Sequence, residues 1–517
     1  MAEGQPRLPL APAFGVTLEG ITRNRVFIFA LQWFGVPLAA LIGLATALYY
    51  VISPETLRPL FDDSYISLNF ARNLAEHGKL SFDGEEWTTG ATSPLHVAVM
   101  AVMLKLGAEP FFTSAAVGVA SHVLLAVGVY LLAFAVFRSR LAGVLGALAI
   151  SFTSYAALDA GNGLETSLFM ALVAFAAAAC LWSDGARARL ACGILIALAV
   201  LTRPEGAFLI PAVLLYRWLD RPAGESLVRY ARDAARFAGP GLAAGVLILI
   251  FSLAVSGSFG GTGGAKVSFF QEDEWLLQDK LSVAADQVGI FLGPLLPLIA
   301  LAAFVAGRRA FLLFALFWVP VLVIYAVVFP GGLGHYFYRY QHPVLPFIAA
   351  FAGGGAAFLI ATALQRDWVV KALVAFALVV VAVPMYYQYD RWRDIYTAGA
   401  AETHADLEAM ALDLNTIVEP DETLATHDIG ALQYFADYHV LDLVGLANEE
   451  VIQYHDQRRL SEYIESAQPE YLLIFPDWDV FFLHLDTEDN PEKYELVKTY
   501  EGGNIRQQSY QLFRVNY

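Results

Sequence analysis

Two adjacent carboxylates, Asp62 and Asp63, follow the first long apolar run of the sequence by about ten residues. Carboxylates this close to hydrocarbon are costly to place, so an adjacent pair there indicates a function. Such a pair can take a proton from an incoming hydroxyl or bind a divalent cation. The alternative is a solvated loop that carries two acidic residues, and the dipeptide alone does not distinguish the two.

Further polar residues lie near the ends of other apolar runs. Arg203 and Glu205 form a short polar turn, and pairing between them to stabilise that turn is the ordinary interpretation. The histidine and tyrosine residues between Gly331 and Pro343 are typical of an interfacial aromatic belt. The residues in this group that could instead contact a ligand are Glu165, Arg203, Glu205, Lys266, His335, Tyr338 and Arg339.

The elements that must position these residues follow from composition. Of the 517 residues, 57% are hydrophobic and only 16% are charged, and several apolar runs are long enough to cross a bilayer. The chain is therefore expected to be a polytopic α-helical membrane protein. We place about eleven spans at 26–52, 112–137, 141–158, 166–182, 190–203, 206–219, 238–256, 287–306, 310–329, 342–363 and 369–388.

The arginine and lysine residues predict the orientation of these spans. With the N-terminus in the cytoplasm, the basic clusters of alternate loops lie inside, as the positive-inside rule requires. The shorter apolar run 93–106 must then be a juxtamembrane or re-entrant helix, because counting it as a crossing would move the next clusters outside. The long outer loop 53–111 therefore holds the acidic pair. After the pair, an amphipathic helical pattern continues to His77-Gly78, and we expect that helix to lie on the membrane surface.

The negative charge belongs to the C-terminal quarter. Residues 389–517 contain 26 acidic and 8 basic residues, whereas the whole chain has a net charge of −17. The sequence thus predicts a membrane body over 1–388 and a soluble, acidic α/β domain over 389–517. Short strands are expected around Leu424–Thr426, Val440–Leu443 and Tyr471–Phe475, with a helix over Gly430–Ala436. Asp428 follows the first strand, either as a ligand-binding residue or, more often, as a helix cap.

The outer-loop residues together indicate one chemistry. Lys266 and Arg339 can bind a phosphate whose lipid tail lies in the bilayer, while a carboxylate opposite them deprotonates an acceptor hydroxyl. Glycosyl transfer from a lipid-phosphate donor needs these two functions. An excess of acidic residues argues against nucleic acid as a partner.

The order of the motifs also resembles that of the GT-C glycosyltransferases. The stretch Asp62–Leu74 followed by Gly90–Leu95 is similar to the first outer loop of bacterial polyprenyl-phosphate-dependent enzymes, including arabinofuranosyl- and mannosyltransferases. Similar segments recur at Gly163–Thr166, Thr202–Gly206, Arg339–Pro346, Asp428–Leu432 and Leu441–Leu446.

The resemblance implies a GT-C-like fold, with Asp62 or Asp63 as general base and a polyprenyl-phosphate-linked sugar as donor. Lys266 and Arg339 would contact the donor phosphate, and the acceptor would be a glycan, lipid or protein. Residues of the first outer loop that would contact the acceptor or shape the loop are Arg72, Thr92, Ser93 and His96. No cofactor is certain, and a divalent cation (Mg²⁺ or Mn²⁺) at Asp62 and Asp63 stays optional.

Two alternatives remain open from the sequence. One is a transporter or flippase of a lipid-linked sugar, although charges at span ends are not the mid-membrane charges that such a protein uses. The other is a lipid-linked oligosaccharide ligase of similar architecture. Under each alternative the chain is expected in the cytoplasmic (inner) membrane, with its C-terminal domain extracytoplasmic.

Overall fold

The computed structural model describes residues 25–53, 55–182, 185–221, 224–265, 269, 276–305, 308–455, 459–502 and 508–517. Its first part is built from helices. In chain order these are α1 (Arg25–Val51), α2 (Asp62–His77), α3 (Pro94–Lys105), α4 (Pro110–Phe137), α5 (Arg140–Ser151), α6 (Ser154–Gly161), α7 (Thr166–Trp182), α8 (Ala186–Val200), α9 (Leu209–Leu219), α10 (Leu227–Ser256), α11 (Leu277–Leu292), α12 (Leu296–Val305), α13 (Arg308–Val328), α14 (Leu345–Leu364) and α15 (Trp368–Thr403).

Six of the described helices are long and apolar enough to cross a membrane. The number rises to eight if the bent pairs α5–α6 (65°) and α11–α12 (83°) each form one span. The structure therefore has the helical architecture of a multi-pass membrane protein, while the count of about eleven spans stays a prediction. The run 93–106 does form a short apolar helix, α3.

Small residues let the central helices pack closely. Helix α14 contains Gly353, Gly354 and Gly355, and a Cβ atom added at Gly355 would lie 2.0 Å from the carbonyl oxygen of Leu298. Close approach of this kind is the usual way in which membrane helices associate, because lipid gives no hydrophobic drive between them. Most of α14 is buried, so it forms the centre of the helical body.

The C-terminal part contains one mixed five-stranded sheet. Its strands are β1 (Thr423–Thr426), β2 (His439–Asp442), β3 (Tyr471–Ile474), β4 (Tyr494–Tyr500) and β5 (Tyr510–Val515), in the order β2-β1-β3-β5-β4. Strand β1 pairs in parallel with β2 and β3, and β5 pairs antiparallel with β3 and β4. The helices here are α16 (Ala409–Leu414), α17 (Gly430–Phe435), α18 (Ile452–His455) and α19 (Leu460–Ala467).

Helix α15 connects the two parts without a break at residue 388, and it ends only at Thr403. Helix α2 packs against α3 on one side and against α17 of the C-terminal domain on another. Helix α2 is thereby enclosed by protein on most of its circumference, and Tyr65, Leu68, Phe70 and Ala71 are fully buried. It begins at Asp62 and ends at His77, with Gly78 in the left-handed conformation (φ 71°) that terminates helices.

Candidate active site

Asp62 faces the C-terminal domain. Its carboxylate accepts hydrogen bonds from the backbone N–H groups of Gly430 (2.7 Å, Oδ2) and Ala431 (2.8 Å, Oδ1), and the residue is 4% exposed. These are the first N–H groups of α17, which have no partner inside the helix. Asp62 therefore caps a helix that lies 368 residues later in the sequence.

Asp63 faces the other way, into a cavity of about 360 Å³. Its Oδ2 lies 3.2 Å from Nη2 of Arg339, and its Oδ1 accepts a hydrogen bond of 3.3 Å from the Tyr336 hydroxyl. Successive residues of a helix point about 100° apart, so two neighbouring acids in the first turn cannot share one target easily. The sequence left open which of the two acids would be the base, and of the two only Asp63 lines the cavity.

The cavity collects residues from distant parts of the chain. Polar lining comes from α2, from the residues just before α3, α7 and α9, from the turn after α10, from α13 and from the segment before α14. These residues are Asp63, Thr92, Ser93, Glu165, Arg203, Glu205, Thr262, Tyr325, Arg339 and Tyr340. The apolar lining includes Ile324, Val328 and Phe329 from the C-terminal end of α13.

Arg203 is held by two carboxylates. Its Nη2 lies 2.7 Å from Oε1 of Glu205, and its Nη1 lies 3.3 Å from Oε1 of Glu165. Burial raises the pKa of both carboxyl groups, but the charge of Arg203 more than offsets this, and both pKa values lie below the ordinary range. The hydroxyl of Tyr325 also donates to Glu205. The geometry therefore shows that Arg203 and Glu205 form an ion pair in this turn.

The guanidinium group of Arg339 has two N–H-bearing atoms without a hydrogen-bond partner among the described residues. It is 7% exposed, and its guanidinium lies over the rings of Tyr336 and Tyr340 at 5.2 and 5.0 Å. Nη2 contacts Asp63, whereas Nε and Nη1 have no hydrogen-bond partner among the described residues. Unpaired buried donors are costly, so two of them on a residue that lines the cavity favour an anionic ligand beside it.

A buried network holds this wall in place. Asp159 contacts Nδ1 of His342 at 2.7 Å and accepts a hydrogen bond of 2.8 Å from Asn162. The other ring nitrogen of His342 lies 2.8 Å from the carbonyl oxygen of Phe337. The carbonyl of Asn162 in turn accepts from Ser64, the residue after Asp63, at 2.6 Å. The network ties the start of α2 to the segment that carries Arg339.

The remaining predicted residues that the structure describes (Arg72, His96, His335 and Tyr338) lie outside the cavity lining. Arg72 donates to the carbonyl oxygen of Tyr434 (3.0 Å) and to Asn69 (2.6 Å), which fits a loop-shaping role. His96 is buried, and its Nε2 lies 3.3 Å from the carbonyl oxygen of Gly163. His335 stacks against Tyr336, and Tyr338 packs against Tyr155. Lys266 lies outside the described residues.

The C-terminal domain also contributes to the cavity. Leu446 lines it, and a Cβ atom at Gly90 would lie 2.4 Å from the carbonyl oxygen of Leu446. The loop that carries Leu446 is ordered by Asp442, whose carboxylate accepts from the N–H groups of Val444 (2.8 Å) and Ala447 (2.6 Å).

Tyr325, Tyr340 and Tyr336 were not predicted as site residues, since single tyrosines near a membrane carry no distinguishing signal.

The carboxylates of Asp62 and Asp63 point in different directions. Both carboxylate oxygens of Asp62 accept backbone N–H groups of α17, so they point away from Asp63 and from the cavity. Among the residues that the structure describes, no group of three or more His, Cys, Asp or Glu side chains is placed to bind a metal ion. A cation at Asp63 would have to take its other ligands from a substrate phosphate or water.

The three expected strands and the helix after β1 are present as β1, β2, β3 and α17. Asp428 does not cap α17, because the carboxylate of Asp62 accepts the first N–H groups of that helix. Asp428 instead accepts a hydrogen bond from the Tyr510 hydroxyl of β5. The cap interpretation of Asp428 is therefore wrong.

The fold of this chain is similar to that of solved GT-C glycosyltransferases, which confirms the resemblance at the level of the fold. Similar solved structures include ArnT from Cupriavidus metallidurans bound to undecaprenyl phosphate (14% identity, TM-score 0.55), covering 93% of this chain and 98% of that one. Another is the oligosaccharyltransferase AglB from Archaeoglobus fulgidus, in complex with an inhibitory peptide and a dolichol-phosphate (12% identity, TM-score 0.55), covering 94% and 74%.

Comparisons at the level of sequence add one finding. A family model described as "Domain of unknown function (DUF8728)" matches residues 393–513, which contain the end of α15 and nearly all of the sheet. A search of curated protein sequences gave no significant match. At 12–14% identity the structural similarity concerns the fold, and the chemistry must be argued from the cavity.

Proposed function

We propose that this protein is a membrane glycosyltransferase that moves a sugar from a polyprenyl-phosphate donor to an extracytoplasmic acceptor, with Asp63 as general base. The observation that carries the proposal is the Asp63–Arg339 pair on one wall of the cavity. A base and a phosphate-binding cation lie side by side there, as transfer from a sugar phosphate requires.

The lipid-facing side of the cavity supports the donor class. Ile324 and Val328 line the cavity, yet they are 42% and 53% exposed on the surface of α13, a helix apolar enough to span the membrane. An apolar tail could pass between these side chains while its phosphate reaches Arg339. The two similar structures named above were determined with undecaprenyl phosphate and dolichol-phosphate.

The chemical step follows from these positions. The acceptor hydroxyl gives its proton to Asp63, its oxygen forms a bond to the anomeric carbon, and the bond from that carbon to the phosphate oxygen breaks. The electron pair of the broken bond stays on the phosphate, where the unpaired donors of Arg339 stabilise the added charge. Arg203 is neutralised by Glu165 and Glu205, so it serves mainly to shape the cavity floor.

The size of the cavity bears on the oligosaccharide-ligase alternative. A volume of about 360 Å³ suits one sugar unit and its phosphate better than a lipid-linked oligosaccharide. We therefore favour transfer of a single hexose or pentose. The enzyme would lie in the cytoplasmic membrane with its N-terminus inside and its C-terminal domain outside, because this orientation satisfies the positive-inside rule.

Lipid binding and transfer test the proposal together. Native mass spectrometry of the purified protein with added undecaprenyl phosphate should show a bound lipid, and Arg339→Met should weaken its binding. The matched control is Arg72→Met, which removes the same charge from a residue outside the cavity. Transfer is then measured from polyprenyl-phosphate mannose and polyprenyl-phosphate arabinofuranose. Equal lipid affinity in the two variants would contradict the proposal.

A further inference from the structure

A second cavity, of about 340 Å³, lies next to the first. Its walls include Phe61, Tyr336 and Phe337, together with Ile395, Glu402 and Thr403 from the outer part of α15. Asp63 lines only the first cavity and Tyr336 lines only the second, and the hydrogen bond between them joins the two. Tyr336 therefore forms the partition between the two cavities. Its ring stacks on the ring of Phe61, with a distance of 4.1 Å between the ring centroids.

The two carboxylate oxygens of Asp63 contact residues that line different cavities. Oδ2 contacts Arg339, the residue that presents unpaired donors to the first cavity. Oδ1 accepts the Tyr336 hydroxyl from the side of the second cavity. Burial and the charge of Asp63 raise the pKa of Tyr336 well above its ordinary value, so this hydroxyl keeps its proton. A neutral hydroxyl that donates to the proposed base has the geometry that an acceptor hydroxyl needs.

The backbone at this point is strained. Tyr336, Phe337 and Tyr338 all have positive φ angles, of 43°, 60° and 70°. For residues with large side chains, each such conformation costs roughly 1–3 kcal/mol, and segments of this kind concentrate at ligand clamps and switches. Such a conformation persists only where the surrounding contacts hold it, so a ligand that replaces those contacts would release the segment.

We propose that the second cavity binds the acceptor, a carbohydrate whose attacking hydroxyl replaces that of Tyr336 on Asp63. This rests on the proposed function and deepens it, because it assigns the acceptor to a class and to a place. The rings of Phe61 and Phe337 suit the apolar C–H face of a sugar ring, while Glu402 and Thr403 add oxygen atoms to the lining. When the acceptor enters, Tyr336 moves aside and the acceptor proton passes to Oδ1.

The first test uses water as the acceptor. In Tyr336→Phe the ring stays and the competing hydroxyl is gone, so Oδ1 can activate water. Hydrolysis of polyprenyl-phosphate mannose or arabinofuranose, without added acceptor, should rise by about 2- to 10-fold, the value of one hydrogen bond. The matched control is Tyr387→Phe on the exposed face of α15, which should leave hydrolysis unchanged. Slower hydrolysis in Tyr336→Phe would mean that Tyr336 positions Asp63, and would overturn the proposal.

The second test needs no catalysis. A cysteine placed at Ile395 lines the second cavity, and both native cysteines are buried. N-Ethylmaleimide labelling of Ile395→Cys should be slowed by octyl mannoside or octyl arabinofuranoside and not by undecaprenyl phosphate. Labelling of Ala398→Cys, on the exposed side of the same helix, should be unaffected by either. Protection of Ile395→Cys by the lipid phosphate alone, or by neither probe, would overturn the assignment.

The two tests separate this inference from the proposed function. If the unaltered protein turns over no polyprenyl-phosphate sugar at all, the proposed function fails. Labelling at residue 395 would still report whether a carbohydrate occupies the second cavity.

Discussion

Replacement of Asp62 by Asn should detach the C-terminal domain from the start of α2. Asn keeps one acceptor oxygen, so one of the two bonds to Gly430 and Ala431 is lost and a buried N–H faces an amide NH₂ group. A hydrogen bond to a charged acceptor contributes about 1.5–3 kcal/mol, and an orphaned buried donor costs about 1–3 kcal/mol. Allowing for overlap of these terms, we expect a loss of about 2–4 kcal/mol, or a roughly 30- to 1,000-fold increase in local opening.

Hydrogen–deuterium exchange measures this opening directly. The amides of 430–435 and of 62–77 should exchange faster in Asp62→Asn, and transfer activity should fall because α2 also carries Asp63. Asp63→Asn is the matched control: it makes the same chemical change one residue later and should leave exchange in α17 as it was. Gly430→Ala tests the contact from the other side, since its Cβ atom would lie 2.0 Å from the carbonyl oxygen of Asp62. Unchanged protection of α17 in Asp62→Asn would refute the reasoning.

Three further predictions concern the cavity wall. Arg339→Lys keeps the charge but not the planar donor pair, so the Kd of undecaprenyl phosphate should rise by about tenfold in a titration followed by native mass spectrometry; an unchanged Kd would contradict a phosphate contact. Glu205→Gln leaves the buried charge of Arg203 with one partner, so the free energy of unfolding should fall by about 3 kcal/mol in denaturant titration, and a change below 1 kcal/mol would contradict a buried pair. The pKa values of Glu165 and Glu205 are lowered in the folded protein, so their contribution to stability is present above about pH 4.5 and is lost as the pH falls through the lowered values. The Tm should therefore be flat from about pH 5 to 8 and decline below about pH 4. A decline that begins near pH 6 would contradict the role of these two carboxylates.

The helical body could be predicted from the sequence because long apolar runs and terminal glycines are local signals. The end of α2 at His77-Gly78 and the short helix α3 follow from such signals. The number of spans could not be fixed in the same way. The breaks within α5–α6 and α11–α12 depend on packing against other helices, and hydropathy averages over them.

The different roles of Asp62 and Asp63 could not be predicted from the local sequence. Asp62 and Asp63 are chemically identical neighbours, and only the docking of α17 against the start of α2 separates them. For the same reason Asp428 was assigned the cap that Asp62 supplies from a distant part of the chain. Arg203 and Glu205, two residues apart, were predictable as a pair because their contact is local in sequence.

The most direct test of the account is the kinetics of Asp63→Asn in the purified, lipid-reconstituted protein. With polyprenyl-phosphate mannose or arabinofuranose as donor, kcat should fall by about 10²- to 10⁴-fold, the usual contribution of a general base, while binding of undecaprenyl phosphate persists. Asp62→Asn should instead show the exchange signature of a detached domain. Transfer by Asp63→Asn within a fewfold of the unaltered protein would contradict the claim that Asp63 is the base.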